Sequence, residues 1–368
     1  MVCQGFCWLW AWLLSGAALL LGSGCVQLGS ATLGVTQRDF NEAIVRAHNE
    51  QLLLNLVRLH YRDNPYFLEV GGITSQQSLG ASAGLGTDFT VSTDPLRTLV
   101  RPSLGMSYSQ TPTIVLSPLS GEAFVRKLIS PLSLEALLHL TRSGWSIARV
   151  LTLILDRVGG LRNAPSAAGP TPTHAPHFAE FAQLVADLRS LQQADLLNLA
   201  YEQHQEGPTL ALEVRGLKSH SEPLRRIRQQ LGLTHDGMRY LLTQDVRRTG
   251  RDVVPLRLRS VRSILFFLSQ GVDVPQLHRL SGLVTTTRHQ DGRPFDWREL
   301  LGGLFQVRTR RDEPQAAYVK IRYRDHYFYI ADNDLESKST FMLLTEIFNM
   351  QAGQGVSLMP TLTLPVGR

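Results

Sequence analysis

The sequence predicts an α+β fold of mixed helices and short antiparallel strands, on three observations. Helical periodicity (apolar residues three and four apart) recurs in several separate stretches. Strand-like alternation recurs between those stretches, most clearly in residues 318–330. The two patterns are interspersed without the regular βαβ spacing of a parallel sheet, and no internal repeat or heptad run organises them. A chain of 368 residues, 43% hydrophobic and 18% charged, is long enough for a full-sized core in one large domain or two ordinary ones.

The elements follow in order. Phe6 to Leu21 (FCWLWAWLLSGAALLL) is apolar and uncharged and leads into Gly22-Ser23-Gly24-Cys25. An apolar core followed by small residues is the order of a secretory signal peptide, here residues 1–24. An uncleaved span is the competing reading, because Phe6 to Val26 is just long enough to cross a bilayer. The Gly/Ser end suits a peptidase better. Residues 25–36, which begin with Cys25, read as a tether, flexible over Gly29 to Val35.

From about Gln37 to His60, Phe40, Ile44, Leu52, Leu56 and Leu59 recur at helical spacing, and Asn64-Pro65 stops the helix. Strand signals follow at Tyr66–Val70, Phe89–Ser92, Gly105–Ser109 and Thr113–Leu116. Helical patterns cover Glu122–Ile129, Leu134–Thr141 and Ser146–Val158, with Gly144 between the last two and Ser146 placed as an N-cap. These make an N-terminal domain of residues 37–162. Residues 163–176 (NAPSAAGPTPTHAP) have the Pro/Ala/Thr-rich composition of a linker, or equally of a long surface loop.

The C-terminal domain, 177–368, opens with a helix over Phe178–Gln203. It continues with a strand at Thr209–Arg215, a helix at Glu222–Leu231, strands at Arg239–Thr243 and Val253–Leu258, and an apolar helix at Ser260–Gln270. Tyr318–Tyr323 and His326–Ile330 alternate around Arg324-Asp325 as a hairpin. A helix at Ser337–Met350 and an edge strand at Leu362–Pro365 complete the chain.

Candidate chemistry is sparse. Cys3, Cys7 and Cys25 are the three cysteines, so a chain cut before Cys25 keeps one and has no internal disulfide or cysteine zinc site. Gly80-Ala81-Ser82-Ala83-Gly84 spells G-x-S-x-G, but Gly86-Thr87-Asp88 follows where a nucleophile elbow needs a helix. A Gly/Ala-rich loop or hairpin accounts for it better. Asp332, Asp334 and Glu336 lack the oxygen count and glycine of a calcium loop; Asp334 reads as a helix cap and Glu336 as a first-turn acid. No metal or cofactor site is expected, and the histidines have no ligand spacing.

One surface stands out. Tyr318, Lys320, Arg322 and Arg324 alternate on one face of the hairpin's first strand, and Tyr327 and Tyr329 lie on one face of the second. Brought together, they make a basic, tyrosine-lined ligand surface, since aromatic faces stack on sugars or bases and cations hold anionic groups. An ordinary half-exposed hairpin has the same pattern. The net charge of +6 favours anionic lipid headgroups, acidic polysaccharide or nucleic acid without choosing among them, and of these nucleic acid is the partner least expected.

Gly22-Ser23-Gly24-Cys25 resembles the lipobox of bacterial lipoproteins, departing from it in having Leu21 one place early and no Lys or Arg in Met1–Gly5. The resemblance implies a diacylglycerol on Cys25, with palmitate-type acyl chains anchoring the chain in a bilayer. Val26, with no aspartate there, implies the outer membrane, facing the periplasm. Asn49–Val70 (NEQLLLNLVRLHYRDNPYFLEV) and Tyr329–Leu344 (YIADNDLESKSTFMLL) are similar to a group of uncharacterised envelope lipoproteins, which implies no activity. The function expected is therefore a non-enzymatic scaffold, assembly or binding module with an envelope protein partner. The alternative is a membrane-tethered hydrolase of cell-wall or surface polysaccharide, which would need a cleft with facing carboxylates or a nucleophile–base pair.

Overall fold

The computed structural model describes residues 28–89, 98–204, 207–216, 221–233 and 237–352. Residues 1–24, Cys25 and Leu362–Pro365, which carry the leader, lipidation and edge-strand expectations, lie outside them. The fold is α+β, as the interspersed periods predict. Its described residues divide into two compact units: 28–65 with 123–352, and 66–122.

In the first unit, helix α1 (Leu28–His60) starts well before Gln37 and takes in the stretch expected to be a tether. Gly29 and Gly34 each cost a helix only about 1 kcal/mol, and no proline interrupts it. Its C-terminal half buries Leu52, Leu53, Leu56, Val57 and Leu59. Among the described residues no helix is long and apolar enough to cross a membrane.

Helices α2 (Glu122–Ile129), α3 (Leu134–Arg142) and α4 (Ile147–Ile154) follow. Ser133 caps α3 by accepting from Ala136 N at 3.1 Å. Ser146 holds the N-cap position of α4 but makes no side-chain cap bond; Gln192 Oε1 accepts from Ile147 N instead, at 2.8 Å. The helix expected to run to Val158 stops at Ile154 and becomes strand β3 (Leu155–Val158). The run Val150 to Leu155 is apolar except for Thr152, so its period is ambiguous, and pairing of Leu155 with Leu258 decides for strand.

After β4 (Leu161–Arg162) comes helix α5 (Ala179–Gln193), shorter than the expected Phe178–Gln203. Asp195, at φ +55°, ends the helical path, and β5 (Leu197–His204) begins. Strand β6 (Gly207–Val214), helix α6 (Glu222–Leu231) and strands β7 (Arg239–Thr243) and β8 (Val253–Leu258) complete one sheet. Its order is β4-β3-β8-β7-β6-β5, antiparallel throughout except β7–β8.

One face of this sheet (Leu155, Val158, Leu212, Leu242, Leu256) packs on Leu137 of α3, Ile147 and Leu151 of α4, and Phe181, Leu184 and Leu188 of α5. Burying side chains of this size contributes about 1.5–3 kcal/mol each before the entropy of ordering is counted.

The sheet draws strands from both sides of residues 163–176, which lie inside the first unit. Asn163, Ala164 and Ala167 are buried there, Pro165–Ala168 forms a 3-10 turn, and Ala175 N donates to Arg288 O at 2.8 Å. The boundaries of the compact units fall instead around residues 66 and 122.

Arg259 ties this region together. Its guanidinium is buried; Nη1 donates to Thr152 O (2.7 Å) and Leu153 O (3.1 Å), and Nη2 donates to Asn163 O. The first two are carbonyls of the last turn of α4, which has no helical partner for them, and a cation there opposes the negative end of the helix dipole. The ring of Phe267 lies 4.0 Å below the guanidinium.

Helix α7 (Val261–Ser269) is buried except at Arg262 and Ser263 and is capped by Ser260, which accepts from Ser263 N at 3.2 Å. Short helices α8 (Gln276–Leu280) and α9 (Arg298–Leu301) lead to a second sheet of β9 (Arg308–Arg310), β10 (Ala317–Tyr323) and β11 (His326–Ala331), in the order β10-β11-β9. Val319, Ile321, Phe328 and Ile330 are its core face.

Helix α10 (Leu335–Ala352) closes the unit. Asp334 accepts from Ser337 N (3.1 Å) and Ser337 Oγ (2.9 Å), so it is a helix cap, as expected from its position. Asp332 pairs with Lys338 at 2.7 Å and Glu336 with Arg149.

The second unit contains a long hairpin of β1 (Leu68–Phe89) and β2 (Thr98–Pro118), in unbroken antiparallel register from Gly72↔Val115 to Phe89↔Thr98. The separate strands expected at 105–109 and 113–116 are parts of β2. Ser82 is mid-strand, opposite Gly105, whose carbonyl accepts from Ser82 Oγ at 3.4 Å. It has no nucleophile-elbow geometry, in keeping with the missing helix signal.

Candidate functional site: a basic, tyrosine-lined sheet face

The β10–β11 register pairs Lys320 with Tyr329 and Arg322 with Tyr327. Side chains of directly paired residues lie on the same face, so these four share one surface, opposite the core face. Strand β9 extends it. Arg308 pairs with Tyr329 and Arg310 with Tyr327. Two cross-strand rows result: Arg308–Tyr329–Lys320 and Arg310–Tyr327–Arg322. Strands are spaced about 4.8 Å apart and same-face residues about 6.6 Å, so the six positions fill a patch about 10 Å wide.

Counter-charge on the patch is partial. Lys320 Nζ meets Glu313 at 2.7 Å and Arg322 meets Asp325 at 3.4 Å. All four side chains are substantially exposed, so each pair contributes well under about 1 kcal/mol and yields readily to another anion. Arg308 and Arg310 are exposed and form no ion pair among the described residues. Tyr327 and Tyr329 are half-buried between the cations.

Tyr318 is not part of this surface. A bulge between Ala317 and Val319 takes it out of the alternation. Its ring meets Phe341 edge-on at 6.2 Å, and Lys338 Nζ lies 5.0 Å from its centroid. Arg324 also leaves the face. It sits in the turn at φ +46°, reaches Asp63 at 3.0 Å and lies 5.0 Å over the Tyr61 ring. Burial would raise the Asp63 carboxyl, but hydrogen bonds from Tyr323 and Arg324 outweigh it and hold the pKa below the usual range.

Arg308 and Arg310 escape a reading of the sequence because a three-residue strand is too short to show alternation. The signal present is the basic run Arg308-Thr309-Arg310-Arg311.

A second feature is a cleft of about 750 Å³ whose walls include His60, Asp273, Arg279, Asp296, Trp297 and Arg298. Its carboxylates already hold partners within the cleft wall. Asp273 accepts from Gln306 Nε2 at 2.9 Å, and Asp296 accepts from Arg298 Nε at 3.0 Å. The Arg298 hydrogen bond, against some burial, holds Asp296 below its ordinary pKa, the opposite of what a general acid needs. His60, within the same walls, is driven to about 4, first by burial and further by Arg279. No protein-family model, curated protein or solved structure matches the chain.

Proposed function

We propose that the chain is a non-enzymatic, lipid-anchored envelope protein whose sheet face of Arg308, Arg310, Lys320, Arg322, Tyr327 and Tyr329 binds an anionic envelope polysaccharide. The carrying observation is the pair of cross-strand rows, each with a tyrosine between two cations. A sugar ring stacks on a tyrosine while its carboxylates or sulfates meet the cations on either side, and Arg308 and Arg310 give up no ion pair among the described residues to do so. The anchor rests on Cys25 and its apolar leader, and the acyl chains supply about 0.8 kcal/mol per buried methylene.

Two experiments test the reading. Calorimetric titration of the full chain with polygalacturonate should show binding that weakens with salt, and Arg308→Glu with Arg310→Glu should weaken it at least about tenfold. Unchanged affinity in that double variant sinks the assignment of the face. For the anchor, Cys25→Ser made in the native host should lose the acyl mass increment and the membrane partitioning of the parent.

The hydrolase reading retains one observation in its favour, the cleft containing Asp273, Asp296 and the indole of Trp297. Turnover of a glycan panel that is abolished by Asp273→Asn or Asp296→Asn would establish it over the binding module.

A further inference from the structure

The hairpin of β1 and β2 sorts its residues by face. Its register and the two-residue pleat place Leu79, Ala81, Ala83, Leu85, Thr87 and Phe89 on one side, with their partners Tyr108, Met106, Leu104, Pro102, Val100 and Thr98. The other side receives Ser78, Gly80, Ser82, Gly84, Gly86 and Asp88, opposite Ser109, Ser107, Gly105, Ser103, Arg101 and Leu99. One face is apolar except for Thr87 and Thr98 at its end, and the other is small or polar except for Leu99. The described residues of the latter, Ser82, Gly84, Ser103, Gly105 and Ser107, are exposed.

Length and charge carry the same message. No Asp, Glu, Lys or Arg occurs from Val70 to Thr87 or from Pro102 to Pro118. The apolar band runs through 11 consecutive registered pairs, from Leu79↔Tyr108 to Phe89↔Thr98, and a strand tilted across a bilayer needs about 9–11 residues. An aromatic residue stands at each end, Tyr108 and Phe89, as in the interfacial girdles of membrane barrels. Beyond Tyr108 the same face turns polar at Gln77↔Gln110.

An isolated two-stranded ribbon is at best marginal in water, and among the described residues neither strand has a second neighbour. In a bilayer its free edges would leave N–H and C=O groups unsatisfied, and only closure into a barrel removes that cost. The edges therefore call for more strands of the same kind, and further copies of this chain supply them.

We propose that several copies of the chain join these hairpins edge to edge into one transmembrane β-barrel. The Leu79–Phe89/Thr98–Tyr108 face meets lipid, and the Ser/Gly face lines an aqueous lumen. Two strands per copy require about four or more copies, because eight strands make about the narrowest closed barrel. Ser82 and Ser103 suit a lumen wall. Each hydroxyl lies over a cross-strand glycine and hydrogen-bonds its carbonyl, which keeps the wall thin and wettable. The proposal goes beyond the polymer-binding face and uses none of its residues.

The test is single-channel recording of the purified full-length chain in planar bilayers of phosphatidylcholine and phosphatidylglycerol. Discrete conductance steps are expected. Leu85→Arg with Leu104→Arg, on the lipid side, should lower channel incidence at least about tenfold. Ser82→Asp with Ser107→Asp, on the lumen side, should keep incidence and shift the reversal potential toward cation selectivity. Circular dichroism and thermal unfolding of each variant verify that the rest of the chain still folds. Absence of conductance from the wild-type chain overturns the proposal, whether it is then a monomer or an oligomer by light scattering. Equal loss from both double variants overturns it too. Failure here leaves polygalacturonate binding intact, and failure of that binding leaves the channel intact.

Discussion

The Tyr61 hydroxyl and Nδ1 of His278, separated by 217 positions in sequence, are joined by a hydrogen bond of 2.7 Å. Around it, the Tyr61 ring makes edge contacts with His278 (5.7 Å), Tyr323 (5.5 Å) and Phe328 (6.2 Å). The turn that follows α1, helix α8 and the β10–β11 hairpin thus meet at one side chain. Burial raises the Tyr61 pKa to about 12, so the group is a fixed hydrogen-bonding partner at neutral pH, not a nucleophile. Tyr61→Phe keeps the ring contacts and removes one bond. It should cost about 1–2 kcal/mol, read as a lower urea midpoint with an unchanged slope. No shift in midpoint would mean that the bond contributes nothing.

Acid should weaken the fold through its buried histidines. His60 is held at about 4, mainly by burial, and burial followed by the charges of His326 and Arg324 lowers His278. Both folded-state values lie below the ordinary histidine value of about 6.5, so the unfolded chain binds protons first as pH drops. The stability these neutral rings give is complete above about pH 6.5 and is lost as pH falls toward 4. For His60 the shift corresponds to about 3 kcal/mol. Melting temperatures from pH 7 to 4 should fall less steeply in His60→Gln than in the parent chain.

Arg259→Met retains most of the contact with Phe267 but leaves the carbonyls of Thr152, Leu153 and Asn163 without their donor. A loss of about 3 kcal/mol is expected, the size typical of breaking a buried charged network. Equilibrium denaturation measures it. A change under about 1 kcal/mol would show that those carbonyls find other donors.

The β10–β11 turn can be improved. Arg324 and Asp325 both adopt positive φ, +46° and +61°, as a two-residue type I′ turn requires, and glycine takes that conformation without steric cost. Asp325→Gly gives up only the exposed contact to Arg322, at 3.4 Å. The variant should be more stable by about 0.5–1 kcal/mol, seen as a rise of a few degrees in melting temperature.

Much of the local structure is legible in the sequence. Helices Glu122–Ile129 and Glu222–Leu231 and strands Arg239–Thr243 and Val253–Leu258 have the bounds that their periodicity predicts. Legibility fails where a segment suits either period, as at Leu155, or where one backbone angle changes the path, as at Asp195. Residues 163–176 have a linker's composition, yet Asn163 is buried and donates from Nδ2 to Thr152 O and Leu155 O at 2.8 and 2.7 Å. Proline and alanine mark irregular backbone equally well inside a fold and between domains.

The division between what sequence determines and what tertiary structure decides has a plain cause. Periodicity, caps and turn residues are properties of a few neighbouring positions, so the chain by itself determines the α+β class, most helices and the hairpin around Arg324-Asp325. Which strands become neighbours depends on closing loops of tens to hundreds of residues, and no local pattern encodes the outcome. Tertiary structure alone therefore brings Arg308 and Arg310 beside Tyr329 and Tyr327, and it alone moves Tyr318 off their face by one extra residue in a strand.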